Sequence, residues 1–441
     1  MREDLPVHIC SCSERASVRF SADNRGFLLL RFRAPARSGS LVISGEVMKR
    51  GAKTRKKTLI THAGRDPHAN HGVVNPPVFH ASTILKPSLD ALEASRKPEF
   101  EGYRYGRRGT PTTRSFEEAV AAIYGADDSV AVSSGLAAIC SAILSQVSAG
   151  DHVLITDNVY LPTRKFASGF LQRFGVQSTF FDPMKPEELG NLIRPETRVV
   201  YLEAPGTMTF EVCDIPALAR IARDHGATVI MDNTWATALY FDAFGHGVDI
   251  VVEAVTKYIC GHSDVMMGTI VSKKAHADAI RDCVMMQGNC SGPDDLYLAQ
   301  RGLRTMAVRL AENQANALEL AKWLETRPEI ARVLHPALPS CPGHEIWKRD
   351  FTGASGLFSF VLKPVSRAAL AAFLDGLEYY GMGASWGGYE SLILPGDPSG
   401  ARSATSWDEP GQLLRIHAGL EDVADLKADL EAGFKRLEAL A

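Results

Sequence analysis

Short runs of β-branched and other apolar residues alternate with helix-like patterns along the middle of the chain, up to about residue 275. In the helix-like stretches, such as residues 215–226, apolar positions recur every three or four residues. This alternation predicts an α/β fold, in which a mostly parallel sheet carries helices on both faces. The predicted strands are Val130–Val132, His152–Thr156, Val199–Glu203, Thr228–Met231, Ile250–Glu253 and Gly268–Ser272.

The pattern changes after about residue 295. A long helical stretch there leads to several strand-like runs, and a helical pattern closes the chain. Because these strands are not separated by regular crossover helices, we predict a smaller C-terminal α+β domain. Its strand-like runs lie at 332–334, 357–362 and 414–416, and the closing helix spans about 423–437.

These patterns divide the chain into four segments. Residues 1–47 are rich in arginine and serine and contain no lysine, and we predict a disordered extension there. Acidic residues in that segment argue against a transit peptide. Residues 48–111 are loop-rich and predict an N-terminal arm that forms an interface, although their basic start also allows a contact with nucleic acid. The large domain is then 112–300 and the C-terminal domain 301–441.

A helix is expected at the start of the large domain. Ser115, followed three residues later by Glu118, predicts a capping box there.

Composition narrows the class of protein. The chain has 441 residues, of which 45% are hydrophobic and 22% charged, and its net charge is −3. This balance gives no overall attraction to nucleic acid, and no apolar run approaches the roughly 20 residues that span a bilayer. The cysteine and histidine spacings match no zinc site, so we expect reduced thiols, no metal and a cytoplasmic location.

The stretch from Thr228 to Gly268 carries the first candidate chemistry. Asp232 and Lys257 each follow a predicted strand, and ligands of open α/β sheets gather at such carboxyl ends. Pyridoxal phosphate (PLP) requires an acid beside its ring nitrogen and a lysine that binds it covalently. Each residue alone also has an ordinary explanation, since Asp-Asn-Thr is common in turns and most lysines are solvated.

Two further segments complete this set. Residues 132–138 break a strand at two serines and a glycine before a helix of small residues, which suits a phosphate but is equally typical of a plain helix cap. Arg415 stands between apolar residues on a predicted strand, where its guanidinium suits a substrate carboxylate. An intradomain salt bridge is the alternative role for Arg415.

Together these segments resemble the Cys/Met-metabolism family of PLP enzymes, from about Thr58 to the C-terminus. The family belongs to the PLP fold-type I (aspartate aminotransferase-like) class, which implies PLP as the cofactor. The motifs that carry the resemblance are Tyr-x-Arg-Arg-Gly at 105–109, Ser-Ser-Gly-Leu-Ala-Ala at 133–138, Asp-Asn-Thr at 232–234 and Thr-Lys-Tyr-x-x-Gly-His-Ser-Asp at 256–264.

The resemblance implies cofactor-binding roles for eight residues. Lys257 would hold PLP and move protons, Asp232 would pair with the ring nitrogen, and Tyr160 would stack on the ring and assist catalysis. Gly135, Leu136 and Thr256 would hold the phosphate. Tyr105 and Arg107 would reach the cofactor of a neighbouring subunit, and their spacing would let both face one side of an extended segment.

Within the family, the run Ser385-Trp-Gly-Gly-Tyr-Glu-Ser-Leu392 is most similar to bacterial cystathionine β-lyases, because γ-synthases and γ-lyases generally have leucine in place of Trp386. The implied reaction is α,β-elimination of L-cystathionine to homocysteine, pyruvate and ammonia, in methionine biosynthesis and transsulfuration. Arg415, Ser385 and Trp386 would bind the substrate α-carboxylate, and Arg108 is a candidate for the distal carboxylate. A homotetramer of dimers that share active sites is also implied.

Some residues depart from this pattern. Arg164 and Lys165 stand where related lyases can present an acid to the distal amino group. A broader cysteine-S-conjugate β-lyase and a cystathionine or methionine γ-lyase are therefore alternatives. A nicotinamide dehydrogenase is a further alternative from the sheet pattern, but no predicted strand opens into Gly-x-Gly-x-x-Gly.

Overall fold

Seven strands form the larger sheet of this computed structural model, which describes residues 54–440. Their order in the sheet is β1-β7-β6-β5-β4-β2-β3. All neighbouring pairs are parallel except those that β7 makes with β1 and β6. The strands are β1 (Asp128–Val132), β2 (His152–Thr156), β3 (Gln177–Phe181), β4 (Thr197–Glu203), β5 (Thr228–Asp232), β6 (Ile250–Glu253) and β7 (Gly268–Ser272).

Four antiparallel strands form the smaller sheet, in the order β10-β11-β9-β8. They are β8 (Ile330–Leu334), β9 (Leu357–Leu362), β10 (Leu392–Gly396) and β11 (Leu413–His417). The helices are α1 (Lys56–His62), α2 (Leu89–Ala94), α3 (Pro111–Tyr124), α4 (Gly135–Leu144), α5 (Leu161–Lys165), α6 (Pro186–Leu192), α7 (Ile215–Asp224), α8 (Thr237–Tyr240), α9 (Lys274–Met286), α10 (Pro293–Leu324), α11 (His344–Asp350), α12 (Arg367–Asp375) and α13 (Val423–Glu438).

The larger sheet is covered on both faces. Alternate residues of one strand enter different hydrophobic cores: Leu154 of β2 belongs to the core that includes residues of α3 and α7, whereas Val153 and Ile155 belong to the core that includes residues of α4. Because side chains alternate across a strand, this division shows helices on each face of the sheet. The predicted fold class is confirmed.

The smaller sheet has a core of its own, and α10 links it to the larger one. The first half of α10 contributes Leu303 to the core of the larger sheet, and its second half contributes Leu320 to the other. This helix therefore spans the predicted boundary at residue 300. The division into domains remains a prediction, and the expectations for residues 1–47 lie outside the described part of the chain.

The predicted capping box is wrong. Helix α3 begins at Pro111, and Thr110 and Thr113 form the reciprocal cap one turn earlier than expected. Proline is favoured in the first turn because it lacks the N–H group that would stay unpaired there. Ser115 lies inside the helix and donates instead to the carbonyl of Gly64.

Two strands were missed, and both lie at a sheet edge. Among the strands of residues 54–440, β3 has β2 as its one neighbour and β10 has β11, although Leu392 of β10 also forms a single bridge with Gly381. An edge strand buries less of its surface, so its apolar pattern is weaker than that of a central strand. Strand β10 also contains Pro395, which edges tolerate because one side of the strand needs no N–H donor.

Candidate active site

A cavity of about 640 Å³ lies at the carboxyl ends of β4 and β5, beneath residues of the smaller sheet. Its position agrees with the rule for ligand sites in open α/β sheets. Nine of the twelve predicted site residues line this cavity: Gly135, Leu136, Tyr160, Asp232, Thr256, Lys257, Ser385, Trp386 and Arg415. The three that do not are Tyr105, Arg107 and Arg108.

Lys257 lies on a tight turn after β6, where its backbone N–H donates to the carbonyl of Ala254 at 3.0 Å. Its Nζ donates to Ser385 Oγ at 2.7 Å and lies 5.2 Å from the centre of the Trp386 ring. Burial lowers the pKa of Lys257 to about 8, and the positive charge of Arg415 acts in the same direction while Asp232 opposes it. An amine with this pKa is partly unprotonated near neutral pH, as a lysine nucleophile requires.

Asp232 is the last residue of β5, and its Oδ1 accepts a hydrogen bond from the Thr234 N–H at 2.9 Å. Burial raises the pKa of Asp232, although the Thr234 hydrogen bonds and Lys257 oppose this. A carboxyl in this position lacks a full counter-charge. A protonated ring nitrogen beside it would supply that charge, which is the partnership that PLP requires.

Glu203 is a site residue that the sequence analysis missed. It ends β4 opposite Asp232 in the strand register, and it lines the cavity. Its carboxylate accepts from the Tyr160 N–H at 2.8 Å and from the Thr207 hydroxyl. Burial, together with the charge of Asp232, raises the pKa of Glu203 to about 8. Its position at the end of a predicted strand was the one hint in the sequence, and Glu253 shares that position without lining the cavity.

Tyr160 precedes α5 and faces the cavity with 44% of its surface exposed. The hydrogen bond from its N–H to Glu203 fixes its backbone. Burial raises the pKa of Tyr160, with further increases from Glu203 and Asp232. Its hydroxyl therefore keeps its proton at neutral pH and acts as a hydrogen-bond donor.

The first turn of α4 lines one end of the cavity, where a helix N-terminus would suit a phosphate. Ser134 caps this ten-residue helix by accepting from the Ala137 N–H at 3.1 Å. A Cβ atom at Gly135 would lie 2.6 Å from the Cβ of Ala254, so only glycine fits there. Thr256 is less available than expected, because its hydroxyl donates to Met267 O at 3.1 Å and accepts from Met267 N at 2.9 Å.

Arg415 faces the cavity from the middle of β11, and its Nη2 donates to the carbonyl of Ser385 at 3.3 Å. Burial lowers the pKa of Arg415. No carboxylate within residues 54–440 forms a salt bridge with this guanidinium, so the intradomain salt bridge considered above is not formed. A partly buried arginine without a counter-ion suits a ligand carboxylate.

Tyr105, Arg107 and Arg108 lie outside the cavity of their own chain. Tyr105 and Arg108 are exposed, and Arg107 donates to the carbonyl of Met285 at 3.1 Å. The extended conformation expected for this segment is wrong, because Gly106–Arg108 forms a 3-10 turn. The proposed reach of Tyr105 and Arg107 to a neighbouring subunit remains a prediction.

Arg164 has partners within its own chain. It forms a salt bridge with the buried Asp157 and lies 3.7 Å from the centre of the Phe180 ring. Lys165 is exposed and does not line the cavity. Neither residue therefore lines the cavity of its own chain.

The residues present fit PLP. They provide a carboxyl for the ring nitrogen, an amine with a lowered pKa, a ring for stacking and a helix N-terminus for the phosphate. No group of three or more His, Cys, Asp or Glu side chains in the described part of the chain is arranged to hold a metal. None of the described helices is long and apolar enough to cross a membrane.

Comparison with known proteins agrees with this geometry. A "putative cystathionine beta-lyase" of Rhizobium johnstonii is 48% identical over 87% of this chain and 96% of its own length. "Cystathionine beta-lyase MetC" of Escherichia coli is 41% identical over 88% of this chain and 100% of its own length. This chain also superposes on the structure of a cystathionine gamma-lyase from Lactobacillus plantarum in complex with L-serine, with a TM-score of 0.80 and 30% sequence identity. The alignment covers 87% of this chain and 100% of the lyase chain.

The family model described as "Cys/Met metabolism PLP-dependent enzyme" matches residues 57–435. That range includes every strand and every candidate site residue described above. The family assignment makes PLP the cofactor and removes the nicotinamide dehydrogenase from consideration. This chain belongs to the Cys/Met-metabolism family of PLP-dependent enzymes.

Proposed function

We propose that this protein catalyses the α,β-elimination of L-cystathionine to homocysteine, pyruvate and ammonia. One observation carries the proposal: the Lys257 amine donates to Ser385 at 2.7 Å and lies beside Trp386, and Arg415, which forms no salt bridge within residues 54–440, donates to the Ser385 carbonyl. The group that moves protons is thus in contact with the residues that would bind an α-carboxylate. The cystathionine β-lyases among the relatives support the same reaction.

The cofactor supplies one part of the chemistry: when bound, PLP accepts the electron pair that remains when the Cα proton leaves. Asp232 would keep the ring nitrogen protonated, and the first turn of α4, with Gly135 and Leu136, would hold the phosphate. Thr256 supports this end by fixing the backbone of Met267.

Lys257 is the proton carrier. Its unprotonated Nζ removes the proton from Cα, the Cβ–S bond breaks, and the same Nζ returns the proton to the leaving sulfur. Homocysteine departs, and the released unsaturated amine hydrolyses in water to pyruvate and ammonia. The pKa of Lys257, near 8, suits both the uptake and the return of a proton at neutral pH.

The remaining residues orient the substrate. Arg415, Ser385 and Trp386 would hold the α-carboxylate, and Tyr160 would stack on the cofactor and donate a hydrogen bond. This geometry places the Cα–H bond where Lys257 reaches it. Arg108 acts on the distal carboxylate from a neighbouring subunit.

The assembly and location follow from the same proposal. We propose a homotetramer of dimers, in which Tyr105 and Arg107 of each subunit complete the site of its neighbour. Both residues are exposed and neither lines the cavity of its own chain, which supports this assignment. The enzyme would act in the cytoplasm, in methionine biosynthesis.

The nearest alternatives are a γ-lyase and a broader cysteine-S-conjugate β-lyase. The keto acid formed from L-cystathionine separates the first from our proposal, because γ-elimination gives 2-oxobutyrate and cysteine. Steady-state assays with L-cystathionine and with S-methylcysteine test the second. Equal values of kcat/KM for both substrates would favour the broader activity.

A further inference from the structure

Ser385 and Trp386 lie in a segment without regular secondary structure, between Gly383 and Ser391. Neither a helix nor a strand fixes this segment, so contacts with the rest of the protein must set the direction of both side chains. Two consecutive glycines, Gly387 and Gly388, follow them directly and provide those contacts.

The first contact is a close approach to the Lys257 turn. Gly387 has a φ of 84°, and a Cβ atom at this position would lie 3.0 Å from the carbonyl carbon of Lys257. Both the conformation and the space therefore require glycine. The segment that carries Ser385 is thus packed against the residue that bears the reacting amine.

The second contact is His417, which ends β11 two residues after Arg415 and is 1% exposed. Its Nε2 lies 3.2 Å from Gly387 N and 3.2 Å from Gly388 O. A neutral ring accepts from the Gly387 N–H in one tautomer and donates to the Gly388 carbonyl in the other. In either tautomer, the ring therefore forms a hydrogen bond with the backbone of the Gly387–Gly388 turn.

An aromatic contact joins this histidine to Trp386. The Tyr258 ring lies 5.4 Å from the ring of Trp386 and 6.1 Å from that of His417. Tyr258 is itself fully buried, and its hydroxyl accepts from the Gly356 N–H at 2.9 Å. Trp386 therefore rests on a ring that His417 also contacts.

We propose that His417 is a positioning residue for the substrate carboxylate site: it holds the Gly387–Gly388 turn so that Ser385 and Trp386 meet Lys257 and Arg415. This inference rests on the proposed function of the same cavity. Burial lowers the pKa of His417 to about 4, so the ring is neutral at physiological pH. Arg415 then remains the cation of strand β11 that faces the substrate.

Two variants separate positioning from general stability. His417→Leu keeps much of the volume but removes both hydrogen-bonding atoms, whereas His417→Gln retains a donor and an acceptor. The matched control is His335→Leu, since His335 is also fully buried and its ring packs on Phe358 at 5.4 Å, but it does not line the cavity. All variants are measured as holoenzymes with PLP.

The readout is affinity for the carboxylate group. Spectral titration of the bound cofactor compares L-alanine with ethylamine, the same amine without a carboxylate, and KM and kcat are measured for L-cystathionine. We expect His417→Leu to lose about tenfold of the preference for L-alanine and to raise KM by a similar factor, the effect of about one hydrogen bond. His417→Gln should recover most of this preference, and His335→Leu should keep all of it.

An unchanged preference in a folded His417→Leu enzyme would overturn the inference, as would an equal loss in His335→Leu. If His417→Leu does not fold, His417→Gln is tested instead, with Ser385→Ala as the reference for a damaged carboxylate site. A preference for L-alanine below that of wild type but above that of Ser385→Ala supports the inference. A wild-type KM together with a lowered melting temperature contradicts it. A wild-type protein that binds no PLP would contradict the proposed function instead, so the two failures are distinguishable.

Discussion

The cofactor end and the substrate end of the cavity are built in different ways. At the cofactor end, short-range hydrogen bonds shape each group: Asp232 accepts from Thr234, and Ser134 accepts from Ala137. At the substrate end, Ser385 meets Lys257 across 128 positions of the chain. The positions of the side chains at the cofactor end are therefore set by the strand ends that carry them. The positions of the side chains at the substrate end are set by tertiary packing.

A buried set of hydrogen bonds around Asp157, called the tie below, connects the end of β2 with the loop before β11. Asp157 is fully buried and accepts hydrogen bonds from Arg164 and from the backbone and side chains of Ser403 and Thr405. Those residues belong to the loop between β10 and β11, the strand that carries Arg415. This tie joins the end of β2 to the loop before β11, and because none of its residues lines the cavity, it can be broken independently of the cofactor end.

The largest effect is expected from a change at the cofactor end. Lys257→Ala removes the amine that binds PLP and moves protons, so kcat should fall by at least about a thousandfold. The visible absorbance of the purified protein should change with it. The control is Lys274→Ala, since Lys274 is exposed and does not line the cavity. Full activity in Lys257→Ala would contradict the proposed role.

A change at the substrate end should act mainly on KM. Arg415→Ala removes the guanidinium that has no carboxylate partner in residues 54–440, and kcat/KM for L-cystathionine should fall on the order of a hundredfold. Arg415→Lys should recover only part, because a lysine lacks the planar pair of donors. Retention of PLP, checked by absorbance, separates this effect from damage to the cofactor end. A wild-type KM in Arg415→Ala would exclude a carboxylate contact.

Breaking the tie between the sheets should reduce stability. Asp157→Ala removes the carboxylate that accepts from the N–H groups of residues 403–405 and that forms the salt bridge with Arg164, and we expect a loss of about 3 kcal/mol in the free energy of unfolding. Chemical denaturation of the holoenzyme measures this change. The control is Asp397→Ala, because Asp397 lies in the same loop but, within residues 54–440, its side chain bonds only to Ser399. Equal stability of the two variants would show that the tie contributes little.

The pH dependence of this stability has a defined sign. Burial alone would raise the pKa of Asp157, but the hydrogen bonds from Thr405, Ser403 and Arg164 lower it overall from 3.8. A carboxyl with a lowered pKa stabilises the folded protein above its unfolded-state pKa, and this stabilisation is lost as the pH falls through the folded-state value. The difference between wild type and Asp157→Ala should therefore shrink below about pH 4.

Much of the cofactor end could be predicted from sequence because each group follows a strand. Asp232, Lys257 and the start of α4 all lie where an apolar run stops. Glu203 obeys the same rule but was missed, because an acid that ends a strand has no distinctive neighbours in sequence. The hydrogen bond from the Thr256 hydroxyl to the Met267 carbonyl could not be predicted from sequence either, because it depends on how the chain folds back eleven residues later.

The substrate end was predictable only through family resemblance. Arg415 and Trp386 carry recognisable motifs, but the contacts of His417 with Gly387 and Gly388 arise from the packing of a strand end beneath an irregular segment. No periodicity encodes such a contact. The edge strands β3 and β10 escaped notice for a related reason, since half of their surroundings is not protein core.

The smallest expected effect couples the two ends through Lys257. Binding of PLP to the apoprotein requires the unprotonated amine, so the rate of cofactor uptake should rise with pH and level off above about 8. Arg415→Ala removes a charge that lowers the pKa of Lys257 and should move the inflection to higher pH. Asp232→Asn removes the opposing charge and should move it to lower pH. Stopped-flow absorbance measures the rate, and shifts of the same sign in both variants would contradict the charge assignment.

The covalent attachment of PLP to Lys257 tests the central claim most directly. Borohydride reduction of the purified holoenzyme, followed by proteolysis and mass spectrometry, locates the modified lysine. We predict a single pyridoxyl-phosphate label on the peptide that contains Lys257, together with loss of the visible absorbance band. A label on another lysine, or no label on a protein saturated with PLP, would contradict the account.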